Sequence, residues 1–196
     1  MKLTPESKEV YENLHPGDIA IDCGANTGWV TLRMAERGAT VYAFEPNPHM
    51  FDFLRIRFFD NPKVYCRNQG VWDRNGKMRL YLYPGSDTDP ISHAYASSIF
   101  GNNPIIDPNL YVDIEVIDLT EFISHLKSRI KLLKIDIEGA EFELLEKIID
   151  LDMYNIIDKI VVETHEWLIP DSQQKLDNIK RKIQDKGIHN IDLNWI

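Results

Sequence analysis

The chain has 196 residues, of which 43% are hydrophobic and 27% are charged, and this length and composition suit one compact domain with a sizeable core. Its 31 acidic residues outnumber its 22 basic residues and give a formal net charge of -9, so we expect the surface to repel nucleic acids and anionic membranes. The N-terminus lacks a secretory apolar region, and no apolar run approaches the roughly 18 residues of a membrane span, which predicts a cytoplasmic protein.

Helical and strand-like patterns alternate along the chain. A first helix is predicted over residues 4–14, because Thr4 and Pro5 are typical of a helix start, and we expect it to precede the sheet as an addition to the fold. Strands are predicted at Asp18–Cys23 and in TVYAFEP, KVYCRNQGVW, VDIEVIDL, IKLLKIDI, KIVVETH and IHNIDLNWI, with KMRLYLYP as the hairpin partner of KVYCRNQGVW. Further helices are predicted from Val30 to Gly38, from Pro48 to Phe59, from Thr120 to Lys127, from Gly139, and from Asp171 or Ser172.

This alternation predicts an α/β fold: a doubly wound, mostly parallel Rossmann-like sheet of about seven strands with helices on both faces, built as one domain over residues 1–196. Ligands of such sheets bind at the carboxyl ends of the strands. Four predicted strands end in acids, which are Asp22, Glu45, Asp136 and Glu163. We therefore expect these four carboxylates to converge on one crevice.

The turn after the first sheet strand reads Asp22-x-Gly24-x-Asn26-x-Gly28. A dinucleotide-binding turn has a second glycine where this chain has Asn26, so that its backbone can approach the pyrophosphate. The carboxylate of Asp22 would repel a pyrophosphate and attract a ligand with a positive amino group. S-adenosyl-L-methionine fits this description, since it has an ammonium, a sulfonium and no phosphate. The alternative is a structural role, in which the N–H groups of the turn donate hydrogen bonds to the Asp22 carboxylate at a helix N-terminus.

Glu45 ends the second sheet strand, directly before Pro46. A carboxylate at this place can accept hydrogen bonds from both hydroxyls of a ribose. Proteins that bind NAD share this acid, and a plain solvated carboxylate is the alternative. Glu45 therefore predicts a nucleoside site without identifying the nucleoside.

A long segment from Gly85 to Pro108 is rich in serine, proline, asparagine and aspartate and shows no periodicity. Loops of this length are usually functional. We expect the segment, with Ser86, Tyr95, Ser97 and Ser98, to lie over the mouth of the crevice and influence the choice of substrate. The alternative is a surface excursion without function.

Several stretches together resemble one known family. They are PGDIAIDCGANTGWVTL, VYAFEPNP, ASSIF, and VIDLTEFI followed by LLKIDIEGAEFELL, and they extend from about Pro16 to His165. These stretches resemble the FkbM-type S-adenosylmethionine-dependent methyltransferases, within the class I Rossmann-like methyltransferases. The glycine turn is generic to class I enzymes, whereas KIDIEGAE combined with the upstream Ser97 and Ser98 is much more specific.

The resemblance implies S-adenosyl-L-methionine as the cofactor and assigns residues to each part of it. The methionine end would contact Asp22, Gly24, Ala25, Asn26 and Gly28, the ribose Glu45 and Pro46, the adenine Asn68, Gly70 and Val71, and the methyl group Asp136. Two residues depart from the family pattern: Gly70 replaces a usual alanine, and Trp72 replaces a small polar residue. The chain also has a single strand after its last helix, so the sheet edge is either incomplete or completed by another subunit of a homo-oligomer.

Asp136 follows the buried run LLKIDI and is our first candidate for the general base. Desolvation and the neighbouring Glu138 should raise its affinity for protons, which suits a group that accepts the proton of a hydroxyl. The alternative is that Asp136 caps the helix from Gly139, although Glu138 is better placed to do so. Glu141 is interpreted as part of a solvated face, and Lys134 as an edge or partner charge.

His165 follows the next strand and is the second candidate base, with Glu163 or Glu166 to orient it. A lone histidine at a strand end is more often structural, and this alternative stays open. A further possibility is that Asp136, Glu163 and His165 bind a divalent cation, although the sequence shows no recognisable ligand spacing and no metal ligand is assigned.

The leading hypothesis is an enzyme that transfers a methyl group to a hydroxyl oxygen of a small-molecule or sugar-like acceptor, with the acceptor type implied by the resemblance. An NAD(P)-dependent oxidoreductase is the alternative from another class, favoured by Glu45 and opposed by Asn26. A third hypothesis is a non-catalytic member that keeps the nucleoside site to bind a partner protein.

Overall fold

A computed structural model of the chain describes residues 10–89, 92–93, 97–167, 170 and 172–195. Its strands are β1 (Ile19–Cys23), β2 (Thr40–Phe44), β3 (Val64–Arg67), β4 (Gly70–Trp72), β5 (Gly76–Leu82), β6 (Ser97–Ser98), β7 (Asp107–Asp118), β8 (Ile130–Ile135), β9 (Ile157–Val162) and β10 (Ile191–Asp192). Its helices are α1 (Trp29–Glu36), α2 (Pro48–Arg57), α3 (Leu119–Leu126), α4 (Glu141–Asp150) and α5 (Ser172–Asp185), with a 3-10 helix at Met153–Ile156.

Six strands form one parallel sheet in the order β10-β9-β8-β1-β2-β3. The chain runs outward from β1 through β2 to β3 on one side, and from β8 through β9 to β10 on the other. The strand order therefore reverses between β1 and β8, which is the place where ligands bind in such sheets. The predicted doubly wound fold is confirmed, with six strands in the main sheet instead of about seven.

Helices cover both faces of this sheet. Neighbouring residues of a strand point to opposite sides, so each central strand contributes to two hydrophobic cores. Ile21 and Leu133 belong to a hydrophobic core that includes residues of α3, α4 and α5. Ala20 and Leu132, one position earlier in the same strands, belong to a second core with residues of α1, α2 and the N-terminal segment. The two central strands are thus buried on both faces, as their continuous apolar runs predict.

A second sheet has four strands in the order β4-β7-β5-β6. The pair β4–β7 is parallel, whereas β5 is antiparallel to both β7 and β6. The prediction of a single strand in KVYCRNQGVW was wrong, because this segment divides into β3 of the first sheet and β4 of the second. The hairpin with KMRLYLYP was wrong as well, since β7 lies between β4 and β5.

The break between β3 and β4 has a local cause. The side-chain amide of Asn68 donates hydrogen bonds to the backbone carbonyls of Glu45 and Pro46, at 2.9 and 3.1 Å. Asn68 therefore fastens the chain to the end of β2, and the strand that starts at Gly70 leaves the first sheet.

Several helices and strands begin or end at other residues than predicted. The predicted helix over 4–14 begins outside the described residues, of which 10–12 are helical. Helix α2 ends at Arg57 instead of Phe59, α4 begins at Glu141 instead of Gly139, and β10 covers only part of IHNIDLNWI. The predicted long loop contains β6 and the start of β7. Within the described part of the chain, no helix is long and apolar enough to cross a membrane.

Candidate active site

A cavity of about 320 Å³ opens at the carboxyl ends of β1, β2 and β8, where the strand order reverses. The second sheet supplies an apolar wall opposite these strand ends, formed by Leu80, Ile114 and Val116. The residues of the cavity that the sequence assigned to the site are Gly24, Ala25, Asn26, Glu45, Pro46, Gly70, Val71, Asp136 and Glu138. The structure thus brings most of the predicted site residues to one place.

The glycine turn needs a left-handed backbone at three positions, since the φ angles of Gly24, Asn26 and Gly28 are 77°, 51° and 86°. A Cβ atom on Gly24 would lie 1.8 Å from the carbonyl oxygen of Asp136, so no side chain fits there. A Cβ atom on Gly28 would meet Leu54 at 2.7 Å. Gly24 therefore permits contact between the turn and the end of β8, and Gly28 permits contact with α2 and does not line the cavity.

The five backbone N–H groups from Gly24 to Gly28 all donate hydrogen bonds within the protein. Those of Gly24 and Ala25 donate to the carbonyl of Phe44 at 3.0 and 2.9 Å. The next three amides donate to the Glu45 carboxylate at 2.7 Å, to the Asn26 side chain at 2.7 Å, and to the Ala25 carbonyl at 2.8 Å. A phosphate would have to compete with all five of these hydrogen bonds.

Glu45 is held by two amides at the end of β2. Its Oε2 accepts the N–H of Asn26 at 2.7 Å, and its Oε1 accepts the N–H of Asn47 at 2.8 Å. The residue is buried and lines the cavity. Burial raises the pKa of Glu45 to about 7, although the two amides favour its charged form. Each oxygen keeps a lone pair for a further donor, so this carboxylate can receive two ligand hydroxyls.

Asp22 does not line the cavity. Its side chain is fully buried, where its Oδ2 accepts a hydrogen bond from the Thr31 hydroxyl at 2.6 Å and its Oδ1 lies 3.2 Å from the Lys134 ammonium. The structure therefore contradicts the expected direct contact between Asp22 and a ligand ammonium. It also contradicts the alternative in which turn N–H groups satisfy Asp22.

Lys134 is one of the largest fully buried side chains of the protein. Its ammonium lies 3.1 Å from Asp136 as well as 3.2 Å from Asp22, and it donates to the carbonyls of Cys23 at 3.2 Å and Gly24 at 2.8 Å. Burial alone would lower the pKa of Lys134, but the charges of Asp136 and Asp22 outweigh it and raise the pKa above its ordinary value. Of the two interpretations of Lys134, the edge charge was wrong, because β8 is a central strand, whereas the partner charge agrees with its pairing to Asp22 and Asp136.

His165 is buried beside the end of β9, and its Nδ1 lies 2.9 Å from Oε1 of Glu141. Glu141 is itself fully buried and accepts the N–H groups of Ile137 and Gly139, each at 2.9 Å. The interpretation of Glu141 as a solvated residue was therefore wrong, since its carboxylate closes the turn before α4 and orients the imidazole. Glu141, and not Glu163 or Glu166, is the orienting acid.

Three further carboxylates surround Nε2 of His165. The nearest oxygens of Glu138, Glu163 and Asp136 lie 3.6, 3.9 and 4.0 Å away. Burial would lower the pKa of His165, but the Glu141 hydrogen bond and the surrounding negative charges raise it to about 9. Burial raises the pKa of Glu138 to about 8, and it raises that of Glu163 as well. The cluster therefore retains protons more strongly than its separate groups would.

The turn that carries Glu138 is tied to the second sheet. Glu138 has a left-handed backbone with a φ of 54°, and its carbonyl accepts the Ser98 hydroxyl at 2.8 Å. This contact joins the two stretches that the sequence marked as most specific, ASSIF and KIDIEGAE. Tyr95 of the same loop lies outside the described residues.

A sequence model of the methyltransferase FkbM domain matches residues 22–188, which is most of the chain. This chain belongs to the FkbM methyltransferase family. Methyltransferase 1 of Beauveria bassiana is 29% identical to it over 181 residues, which cover 85% of this chain and 70% of the relative. The 31-O-demethyl-FK506 methyltransferase FkbM of Streptomyces tacrolimicus is also 29% identical, over 78% of this chain and 67% of the relative.

A solved structure supports the fold of this FkbM domain independently. A candidate rRNA methylase from Clostridium thermocellum superposes with a TM-score of 0.52 at 10% sequence identity, over 95% of this chain and 83% of that one. At this identity the likeness shows a shared fold.

Two important residues of the FkbM site, Lys134 and Glu141, were missed by sequence reasoning. A lysine inside an otherwise apolar central strand was a usable signal, because a charge at such a position needs buried partners. Glu141 gave no comparable signal, since acids are common in the first turn of exposed helices. Asn68 was assigned to the adenine but supports the backbone of Glu45 and Pro46 without lining the cavity.

Proposed function

We propose that this FkbM chain transfers the methyl group of S-adenosyl-L-methionine to a hydroxyl oxygen of a small-molecule acceptor. The observation that carries the proposal is the pairing of Glu45 with the glycine turn. The turn uses its own amides internally and presents a carboxylate to the cavity. A nucleoside with free ribose hydroxyls and no phosphate fits these groups.

The nucleoside end of the cofactor would occupy the part of the cavity between Glu45 and the start of β4. Glu45 accepts the two ribose hydroxyls on the lone pairs that the amides leave open. Gly70 and Val71 line the same part of the cavity and would contact the adenine. A Cβ atom on Gly70 would lie 3.0 Å from Val116, so the glycine lets β4 approach β7 closely behind the adenine.

The cationic end of the cofactor would face the acids of the cavity. Among the described residues, the charged ones that line it are Glu45, Lys134, Asp136, Glu138 and Glu163, so carboxylates predominate, and Lys134 is already paired with Asp22 and Asp136. An excess of negative charge favours the sulfonium and ammonium of S-adenosyl-L-methionine. The role first given to Asp22 therefore passes to the carboxylates that line the cavity.

The acceptor would lie between these acids and the apolar wall of the second sheet. Its hydroxyl oxygen attacks the methyl carbon, the carbon–sulfur bond breaks, and S-adenosylhomocysteine leaves. The hydroxyl proton passes to Asp136, which lines the cavity beside Glu138 and His165. The catalytic contribution is mainly alignment and exclusion of water. The name of the Streptomyces relative, a 31-O-demethyl-FK506 methyltransferase, specifies an oxygen as the methyl acceptor, which supports a hydroxyl group as the acceptor here.

Calorimetric titration with S-adenosylhomocysteine tests the cofactor assignment. We expect saturable binding that is weakened about tenfold or more in Glu45→Gln, because one oxygen is replaced by an NH₂ group that faces a backbone N–H. The matched control is Glu36→Gln, which changes an exposed glutamate on α1 that pairs with Arg33 and should bind like the wild type. No binding at millimolar S-adenosylhomocysteine, or tighter binding of NADH, would contradict the proposal.

A further inference from the structure

The centre of the acid cluster has the dimensions of a cation site. One ligand atom from each of Asp136, Glu138 and His165 lies within 4.8 Å of the other two. Two ligands that share an ion, each about 2.1 Å from it, lie roughly 3 to 4 Å apart. The separations of 3.6 and 4.0 Å from Nε2 of His165 to the two carboxylates fall in this range. Glu163, at 3.9 Å, is a further oxygen on the same side.

The orientation of His165 is an independent observation. Its imidazole is almost completely buried, and Glu141 accepts the proton of Nδ1 at 2.9 Å. This bond directs Nε2 at the other three carboxylates, and among the described residues no hydrogen-bond acceptor meets Nε2. Metal-binding histidines are held in the same way, with a carboxylate on the second ring nitrogen. Glu141 in turn is fixed by two backbone amides.

The negative surroundings favour a proton on Nε2, but the gap between Nε2 and the carboxylates leaves that proton without a close acceptor. On Nε2 it would be 3.6 Å or more, measured between heavy atoms, from every surrounding carboxylate, which is too long for a hydrogen bond. A divalent ion in the gap would contact the nitrogen and the oxygens together. It would also offset the repulsion between carboxylates that are about three-quarters shielded from solvent.

We propose that Asp136, Glu138 and His165 bind one divalent cation on the wall of the cavity, with Mn²⁺ as a suitable ion. Two carboxylates and one imidazole match the donor preferences of Mn²⁺. Asp136 and Glu138 line the cavity, so the open coordination positions of the ion face the acceptor. The acceptor hydroxyl would bind there, which gives the cluster a positioning role beyond accepting a proton. Binding of the ion is independent of the proposed methyl transfer.

The test is titration of chelator-treated protein with Mn²⁺ in the absence of S-adenosylmethionine. The electron paramagnetic resonance signal of free Mn²⁺ is recorded at each step, and its loss measures the bound ion. We expect one saturable site, with affinity at least tenfold lower in His165→Gln and in Glu138→Gln. Glu146→Gln is the matched control, because Glu146 is an exposed acid of α4 that pairs with Lys182, and it should bind like the wild type.

A second measurement does not depend on the folding of the variants. Mn²⁺ bound at this site should broaden the imidazole proton signals of His165 first in the wild-type protein. The signals of His125 should stay sharper, because His125 lies at the end of α3 that leads into the start of β8, at the opposite edge of the sheet from Asp136. The proposal is overturned if wild-type protein does not bind millimolar Mn²⁺, if both variants bind it like the wild type, or if His125 broadens first. Retained S-adenosylhomocysteine binding in that case would leave the proposed function standing.

Discussion

Replacement of Lys134 by methionine tests the buried ion cluster beneath the glycine turn. The substitution shortens the unbranched side chain by one atom and removes the ammonium from between Asp22 and Asp136, which lie 3.2 and 3.1 Å away. At an effective dielectric constant of 20, each ion pair at this distance is worth about 5 kcal/mol before desolvation is subtracted. Removal of one member of a buried pair costs about 3–5 kcal/mol, because the remaining charge loses its partner. Asp22 is fully buried and has no access to water that would compensate.

Urea unfolding followed by circular dichroism measures this loss. We expect Lys134→Met to lower the free energy of unfolding by about 3–5 kcal/mol and the melting temperature by on the order of 10 °C. Lys131→Met is the matched control, since Lys131 lies in the same strand, is more than a third exposed and pairs with Asp158 at the surface, and it should cost less than about 1 kcal/mol.

The double variant Asp22→Asn/Lys134→Met separates charge from packing. It removes the stranded carboxylate together with the ammonium, so its loss should be at least about 1 kcal/mol smaller than the sum of the two single losses. Equal losses in Lys134→Met and Lys131→Met, or strict additivity in the double variant, would refute the reasoning.

Three further predictions concern the cavity. Gly24→Ala should cost more than about 2 kcal/mol of stability in urea unfolding and abolish calorimetric binding of S-adenosylhomocysteine, because its Cβ would meet the Asp136 carbonyl at 1.8 Å; a variant that binds normally would contradict this. The affinity for S-adenosylhomocysteine should rise about tenfold per pH unit up to pH 7 and then level off. Only ionised Glu45 accepts both ribose hydroxyls, and its pKa is raised to about 7. A flat calorimetric profile from pH 5.5 to 8.5 would count against this prediction. Ser98→Ala should cost about 1–2 kcal/mol in urea unfolding through loss of its hydrogen bond to the Glu138 carbonyl, and a change within error would assign that turn to packing alone.

The fold was predictable because the parallel sheet is buried on both faces. Continuous apolar runs mark β1, β8 and β9 in the sequence, and their alternation with helical patterns leaves few topologies. The second sheet was not predictable in the same way. The segment around Asn68 has strand-like residues on both sides, and only the contacts of its side-chain amide with Glu45 and Pro46 show that the strand is interrupted.

The sequence predicted the site residues that directly follow strands, because the strand order places them. It did not predict the residues whose role depends on a contact with a side chain of another element. Glu45 and Asp136 follow strands, so the topology alone brings them to the cavity. The partnership of His165 with Glu141 joins residues from two elements whose relative placement no periodicity specifies. The same holds for Lys134, whose charge was visible in the sequence although its partners were not.

The structure gives a different physical reason to expect weak dinucleotide binding from the one that the sequence suggested. Asp22 is neutralised by Lys134 and hidden from the cavity, so its charge cannot repel a pyrophosphate. Asn26 would disfavour a pyrophosphate instead, since its own N–H donates to Glu45 and its side-chain oxygen accepts the N–H of Thr27. A glycine at this position would leave the Thr27 amide without that acceptor and open to a phosphate oxygen. The residue that departs from the dinucleotide pattern therefore removes the hydrogen-bond donors that the pattern exists to supply.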